Sequence, residues 1–359
     1  MQNKKVMTEE ALRFKIFNNI NEDLENLWQE FENNNIHHFF QKIQYIKYQM
    51  NKKNNQYFFV IIYFKEKIIA ILPLEIENKF SIRILQWIGT SESDYCGAIF
   101  QNFENIGIDK KIFLNLWKKI LDNIKTYDLI LLNKQCSRIG EIINPFAQHL
   151  NSIKISKIFL IKLPEEENDY FQNIENKKFI NEYHRTEKKL FKDNTVEFKH
   201  YEILDNKIKP SDIIKKKSEI LHEQKIKNFL NKDMMDFFDN FQKKYPNLLK
   251  VSVIEINREI IAANLGIIYN HRFYYFMPVL FSNKYNKFSP GKVLIKFLIK
   301  WNISKKIKIF DFGLGDENYK KYWSNYTGNL LIHLDFKSIK GFISYLLIRF
   351  YLFFKVKKL

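Results

Sequence analysis

A chain of 359 residues is too long for one ordinary core, and a hydrophobic fraction of 46% excludes global disorder. The net charge of +18 comes mostly from lysine, with only seven arginines, and is spread along the chain; a dedicated nucleic-acid binder concentrates charge and favours Arg. Cys96 and Cys136 fit neither a metal-ligand spacing nor a disulfide framework, which points to a reducing, cytoplasmic setting.

Residues 1–17 mix charged and apolar side chains without an uninterrupted apolar core, unlike a signal peptide. The first patterned segment reads as a hairpin: an apolar run over 57–64, polar Lys65 and Glu66, and a second run over 67–75. A strand over 82–88, a helix over 110–124 and a buried strand over 128–132 follow. Helices over 169–191 and 211–230, with a strand near 195–201 between them, form a lysine-rich middle. The opening design then recurs. Runs over 251–256 and 259–266 flank Asn257 and Arg258, and both hairpins place Ile-Ile-Ala directly after a charged residue at the turn. A strand over 272–281, a helix opening at Pro290 and Gly291, and a strand over 307–312 repeat the earlier order. Within that helix, Leu294, Phe297, Leu298 and Trp301 share one face while Lys292, Lys296 and Lys300 line another. The echo predicts a duplicated α/β module, divided as 1–165, a basic helical linking segment 166–245, and 246–359.

Chemistry concentrates in the second copy. In the run Ser289, Pro290, Gly291, Lys292, Val293, the serine suits a cap, the proline a first helical turn, and the glycine a close approach by a ligand. Free amides there, at the positive end of the helix dipole, predict a diphosphate cradle, with Lys287 and Lys292 at its rim. Beyond the next strand, Gly313 and Gly315 permit an unusual backbone path after Asp311. A short helix then carries Tyr319, a proton donor suited to a departing thiolate, with amphipathic packing of that helix as its alternative role. Asp311 and Glu317 are the candidate bases, and for Asp311 a cap or turn role is the structural alternative. No Ser-His-Asp, zinc or Walker pattern competes.

The run from Tyr285 through Ser289-Pro-Gly291, with Asp311-Phe-Gly-x-Gly and Tyr319-Lys320 after the helix, resembles the CelD-type GNAT acyltransferases, relatives of the Fem-type aminoacyltransferases. Ile71-Leu-Pro-Leu74, Ile88-Gly89 and Ser93-Asp94-Tyr95 are similar to that family's N-terminal module, and Arg185 to Leu190 to its basic linking helix. The resemblance spans most of residues 20–335. It implies two tandem GNAT-like modules with mixed, mostly antiparallel sheets, and acetyl-CoA or another acyl-CoA bound in a V between splayed strands. It implies a diphosphate at Pro290–Gly291, and acceptor contacts from Asp94, Tyr95, Arg185 and Tyr285. Ser282 departs from the pattern, because members often carry an acidic residue shortly before the Tyr285 position. The implied acceptor is a small-molecule or lipid-linked amine, such as an amino sugar or an envelope precursor. Two alternatives stand beside this: an aminoacyl-tRNA donor, and a non-catalytic protein that binds nucleic acid or a membrane surface.

The chain closes on a helix of about 17 residues from Ile339, with Ser338 as its cap. Lys340, Ser344, Tyr351, Lys355 and Lys358 fall on one stripe, and Arg349 lies opposite within an apolar remainder. At about 25 Å it is short for a membrane span. Two roles stay open for residues 339–359: packing on the C-terminal domain with Arg349 paired to a carboxylate, or peripheral contact with an anionic membrane.

Overall fold

The computed structural model describes residues 11–50, 55–174, 177–205 and 207–356. The N-terminal reading therefore lies, for residues 1–10, outside the described residues, as do Lys358 and the side chain of Lys355. In chain order the strands are β1 (Leu12–Phe17), β2 (Gln56–Phe64), β3 (Lys67–Lys79), β4 (Ile82–Trp87), β5 (Leu129–Cys136), β6 (Ser152–Lys162), β7 (Val196–Tyr201), β8 (Leu249–Ile256), β9 (Glu259–Tyr269), β10 (Arg272–Leu280), β11 (Ile309–Asp311) and β12 (Tyr326–Phe336). The helices are α1 (Glu22–Asn33), α2 (Ile43–Met50), α3 (Lys110–Ile124), α4 (Lys177–Asp193), α5 (Pro210–Glu223), α6 (Lys232–Lys244), α7 (Pro290–Ser304), α8 (Asn318–Trp323) and α9 (Ile339–Val356). Shorter strands and turns of helix join them.

Chain packing divides the molecule into two units, 1–157 with 328–359, and 158–327. In the first, the strand order is β1-β2-β3-β4-β5-β12. Its pairings are antiparallel except β4 with β5, which run parallel through Ile84 to Leu129 and Leu85 to Ile130. In the second, the order is β7-β8-β9-β10-β11-β6, again antiparallel except for one parallel pair, β10 with β11. Six strands thus repeat in order and direction. Both leading hairpins also slip register just before the turn, at Ile62/Tyr63 and at Ile254/Glu255. The duplication read from the Ile-Ile-Ala echo is a property of the fold.

The division differs from the one drawn on the sequence. Segment 166–245 is part of the second unit, where β7 pairs with β8 and α5 and α6 join the same packing. The C-terminal residues from 328 belong to the first unit, because β12 pairs with β5 and α9 lies on that strand. At Gly341 the fit is so close that a Cβ would come within 1.8 Å of the Asp128 carbonyl oxygen. Arg349 is exposed and lies 5.9 Å over the Tyr345 ring, in place of the expected pairing with a carboxylate.

Two helix boundaries move for local reasons. The expected helix over 211–230 ends at Glu223, since Lys225 adopts a positive φ, and Asn231 then caps α6 by accepting from the Met234 N–H. The expected helix over 169–191 is observed as a short helix, Glu167–Gln172, followed by α4.

Candidate active site

The site grows from a strand that loses its partner. β10 pairs with β11 only at Arg272, Phe273 and Tyr274, so from Tyr275 onward that edge runs free of a neighbouring strand. On its other side the register to β9 shifts between Leu265 and Gly266, leaving Phe276 bulged, and Pro278 opposite Asn264 supplies no N–H. The parallel pairing thus ends after three residues, beside a bulge. A cleft of about 840 Å³ adjoins the stretch of β10 beyond it, lined among others by Tyr275, Pro278, Val279 and Leu280 of β10 and by Lys216 and Lys217 of α5.

The first turn of α7 forms the next wall, through Ser289, Pro290, Gly291 and Lys292. Ser289 sits in the left-handed region and its side chain caps nothing, contrary to the expected role. The Lys292 and Val293 N–H groups both donate to the Ser289 carbonyl, at 2.9 and 3.3 Å. The donor left for a ligand is therefore the Gly291 N–H, which has no partner among the described residues. A Cβ at Gly291 would meet only Leu280, at 3.9 Å, so the fold leaves open space there. The Lys292 ammonium lies 5.2 Å over the Phe179 ring. Val293 itself is fully buried core.

α8 closes the cleft with Glu317 at its N-cap position and Tyr319 in its first turn. The Glu317 carboxylate is held 2.9 Å from the buried Lys320 ammonium, which also donates to the Leu314 carbonyl. Burial and the Glu317 charge push the Tyr319 phenol above the ordinary tyrosine value, so it keeps its proton. Burial, with Tyr319 adding to it, does the same to Tyr275. On the facing helix, burial holds the Lys217 ammonium below the usual lysine value, with Glu317 opposing this and Lys320 adding to it.

The remaining expected residues lie elsewhere. Asp311 does not line the cleft: its fully buried carboxylate receives Arg272 Nη1 at 2.7 Å and the Gly313 N–H at 2.8 Å. That geometry fixes the turn where the chain leaves β11 and carries α8 into place, which is a positioning role. Tyr285 is buried, its hydroxyl 3.3 Å from the Asn257 amide, and Arg185 is exposed on α4. Neither lines the cleft. Asp94 and Tyr95 belong to the first unit, where Tyr95 is buried and stacked on His38 at 4.3 Å. Lys216, Lys217 and Tyr275 went unread; an aromatic strand entering Pro278 was the signal for Tyr275, and the lysines resemble the solvated ones around them.

The first unit treats its counterpart elements differently. Its α3, the equivalent of α7, is capped by the Asp109 carboxylate, which accepts from the Ile112 N–H at 3.0 Å. At the end of β4, Trp87 packs edge-on against Phe146, which also meets Phe113 and Trp117 of α3. Aromatic rings thus pack together where β4 ends beside α3.

Residues 177–321 match the acetyltransferase (GNAT) domain model. The matched span is less than half of the chain, yet it contains every residue that lines the cleft. Since the first unit repeats the strand order of the second, the fold is α/β with two tandem GNAT-like modules. Among solved structures the chain is similar to FemX, at 9% identity and a TM-score of 0.62 over 93% of this chain and 99% of that one. It is also similar to a conserved protein of unknown function from Bacteroides thetaiotaomicron VPI-5482, at 10% identity and a TM-score of 0.52 over 91% and 100%. A third is the C-terminal domain of a putative lysylphosphatidylglycerol synthetase from Agrobacterium fabrum, at 10% and 0.50 over 90% and 94%. At such identities the likeness is one of fold. No curated protein matches the sequence.

Proposed function

We propose that this protein is an N-acyltransferase that moves an acyl group from CoA to an amine, with the reaction in the cleft of the second unit. One observation carries the reading: the stretch of β10 beyond its parallel pairing, a helix start with a free N–H, and a protonated tyrosine face a single cleft within the GNAT-matched span. Gly291 would receive the diphosphate at the positive end of α7. Backbone N–H groups of β10 beyond Tyr274 are the donors available to the thioester carbonyl as it becomes an oxyanion. The acceptor nitrogen attacks that carbon, the C–S bond breaks, and Tyr319 passes its proton to the leaving thiolate. The proton lost by the amine goes to a base; Glu317 is the candidate, one of two carboxylates on the cleft wall with Glu223. Asp311 acts through the turn it fixes and touches no reactant in this scheme.

The acceptor class in this proposal is a small-molecule or lipid-linked amine; a lipid-linked one would bring the enzyme to a membrane face, where the C-terminal helix is the element proposed to meet it. A second reading keeps the cleft and exchanges the donor for an aminoacyl-tRNA. The net charge of +18 and the fold shared with FemX favour it. Incubation with acetyl-CoA and a panel of amines, including amino sugars, should release free thiol in an acceptor-dependent manner. Absence of release with every acyl-CoA, together with salt-sensitive retention of tRNA, would replace the first reading with the second.

A further inference from the structure

Helix α9 runs for 18 residues, about 27 Å, and divides cleanly by face. Gly341, Tyr345, Ile348 and Leu352 fall on one narrow stripe, and this stripe meets Ile332 and Leu334 of β12, Leu131 of β5 and the Asp128 backbone. The opposite side is also apolar, but it is open to solvent: Ile339 is 81% exposed, Leu347 66% and Phe350 67%, with Ile343, Leu346 and Phe354 alongside. A packed helix normally turns a polar face outward, so a second apolar face calls for a second partner. Lys340 and Ser344 lie along one flank of that face and Arg349 along the other.

We infer that the outer face of α9 docks on an anionic lipid surface, lying in its plane. No helix among the described residues is long and apolar enough to cross a membrane, which leaves the interfacial mode. The occupant follows from charge. Between residues 336 and 359 the sequence holds six cations (Lys337, Lys340, Arg349, Lys355, Lys357, Lys358) and no acidic residue. A second copy of the same helix would set like charges against each other, whereas anionic headgroups complement them while acyl chains take the phenylalanines and leucines. This inference does not rest on the acyltransferase reading, since it concerns an element of the other unit.

The test is sedimentation of the full chain with vesicles of phosphatidylglycerol and phosphatidylcholine, and with phosphatidylcholine alone. A Leu347→Glu, Phe350→Glu double variant changes two side chains outside the packed stripe, so it should melt at the parent temperature. The parent should bind the anionic vesicles, more weakly at high salt, and the variant should bind about tenfold or more less tightly. Equal binding by the variant, equal binding to neutral vesicles, or no binding by the parent would overturn the proposal. So would a parent that is dimeric in solution and a variant that is monomeric, because the face would then belong to a second copy.

Discussion

Tyr319 and Glu317 stand two residues apart at the start of a six-residue helix, and their surroundings separate their roles. The phenol is partly buried against Phe312, with ring centroids 6.1 Å apart, and its raised proton affinity keeps in place the proton that the proposed reaction requires. The carboxylate sits nearer solvent and is steadied by Lys320. Tyr319→Phe keeps the ring and its packing but removes the proton. Turnover should fall by about 10²-fold while CoA affinity stays at the parent value, measured by initial rates and direct titration. Unchanged turnover would return Tyr319 to a packing role. The residues at this scale were unevenly readable. Pro290, Gly291 and Tyr319 stood out only together: a Pro-Gly helix start is common, and the glycine-rich segment after the next strand singled it out. Asp311, Val293 and Tyr285 share their motif with core and turn positions, and only the Arg272 pairing and burial reveal which side of that line each falls on.

Among the elements, α3 and α7 are counterparts with opposite N-termini. Asp109 occupies its own helix start, whereas Ser289 leaves α7 without a side-chain cap. Asp109→Ala should therefore lower stability by about 1 kcal/mol, seen as a shift in the denaturation midpoint. Ser289→Ala should change it by less than about 0.5 kcal/mol, since no cap is lost. Equal losses would mean that Ser289 caps in solution. The paired hairpins, α3, α7 and β8 to β10 were visible in the sequence because their apolar periodicity is local. β6 and β12 were not. Their partners lie far away along the chain, β12 against β5 and β6 against β11, and no local pattern records such a pairing. The start of α6 was hidden for a different reason: Asn231 reads as one polar residue among many until its cap is seen.

At the scale of the molecule, the duplication gives two units of one strand order, and the cleft of about 840 Å³ belongs to the second. In the first unit, Phe146 packs against Trp87 of β4 and against Phe113 and Trp117 of α3. The central claim is that the cleft of the second unit, at Gly291, is the acyl-CoA site. Calorimetric titration of the full chain with acetyl-CoA tests it most directly, with Gly291→Asp as the comparison. The substitution has room in the fold, its nearest contact being Leu280, and it sets a carboxylate where the diphosphate should lie. One site per chain in the parent and loss of binding in a folded Gly291→Asp variant is the predicted result. Two equivalent sites, or undiminished binding by the variant, would contradict it.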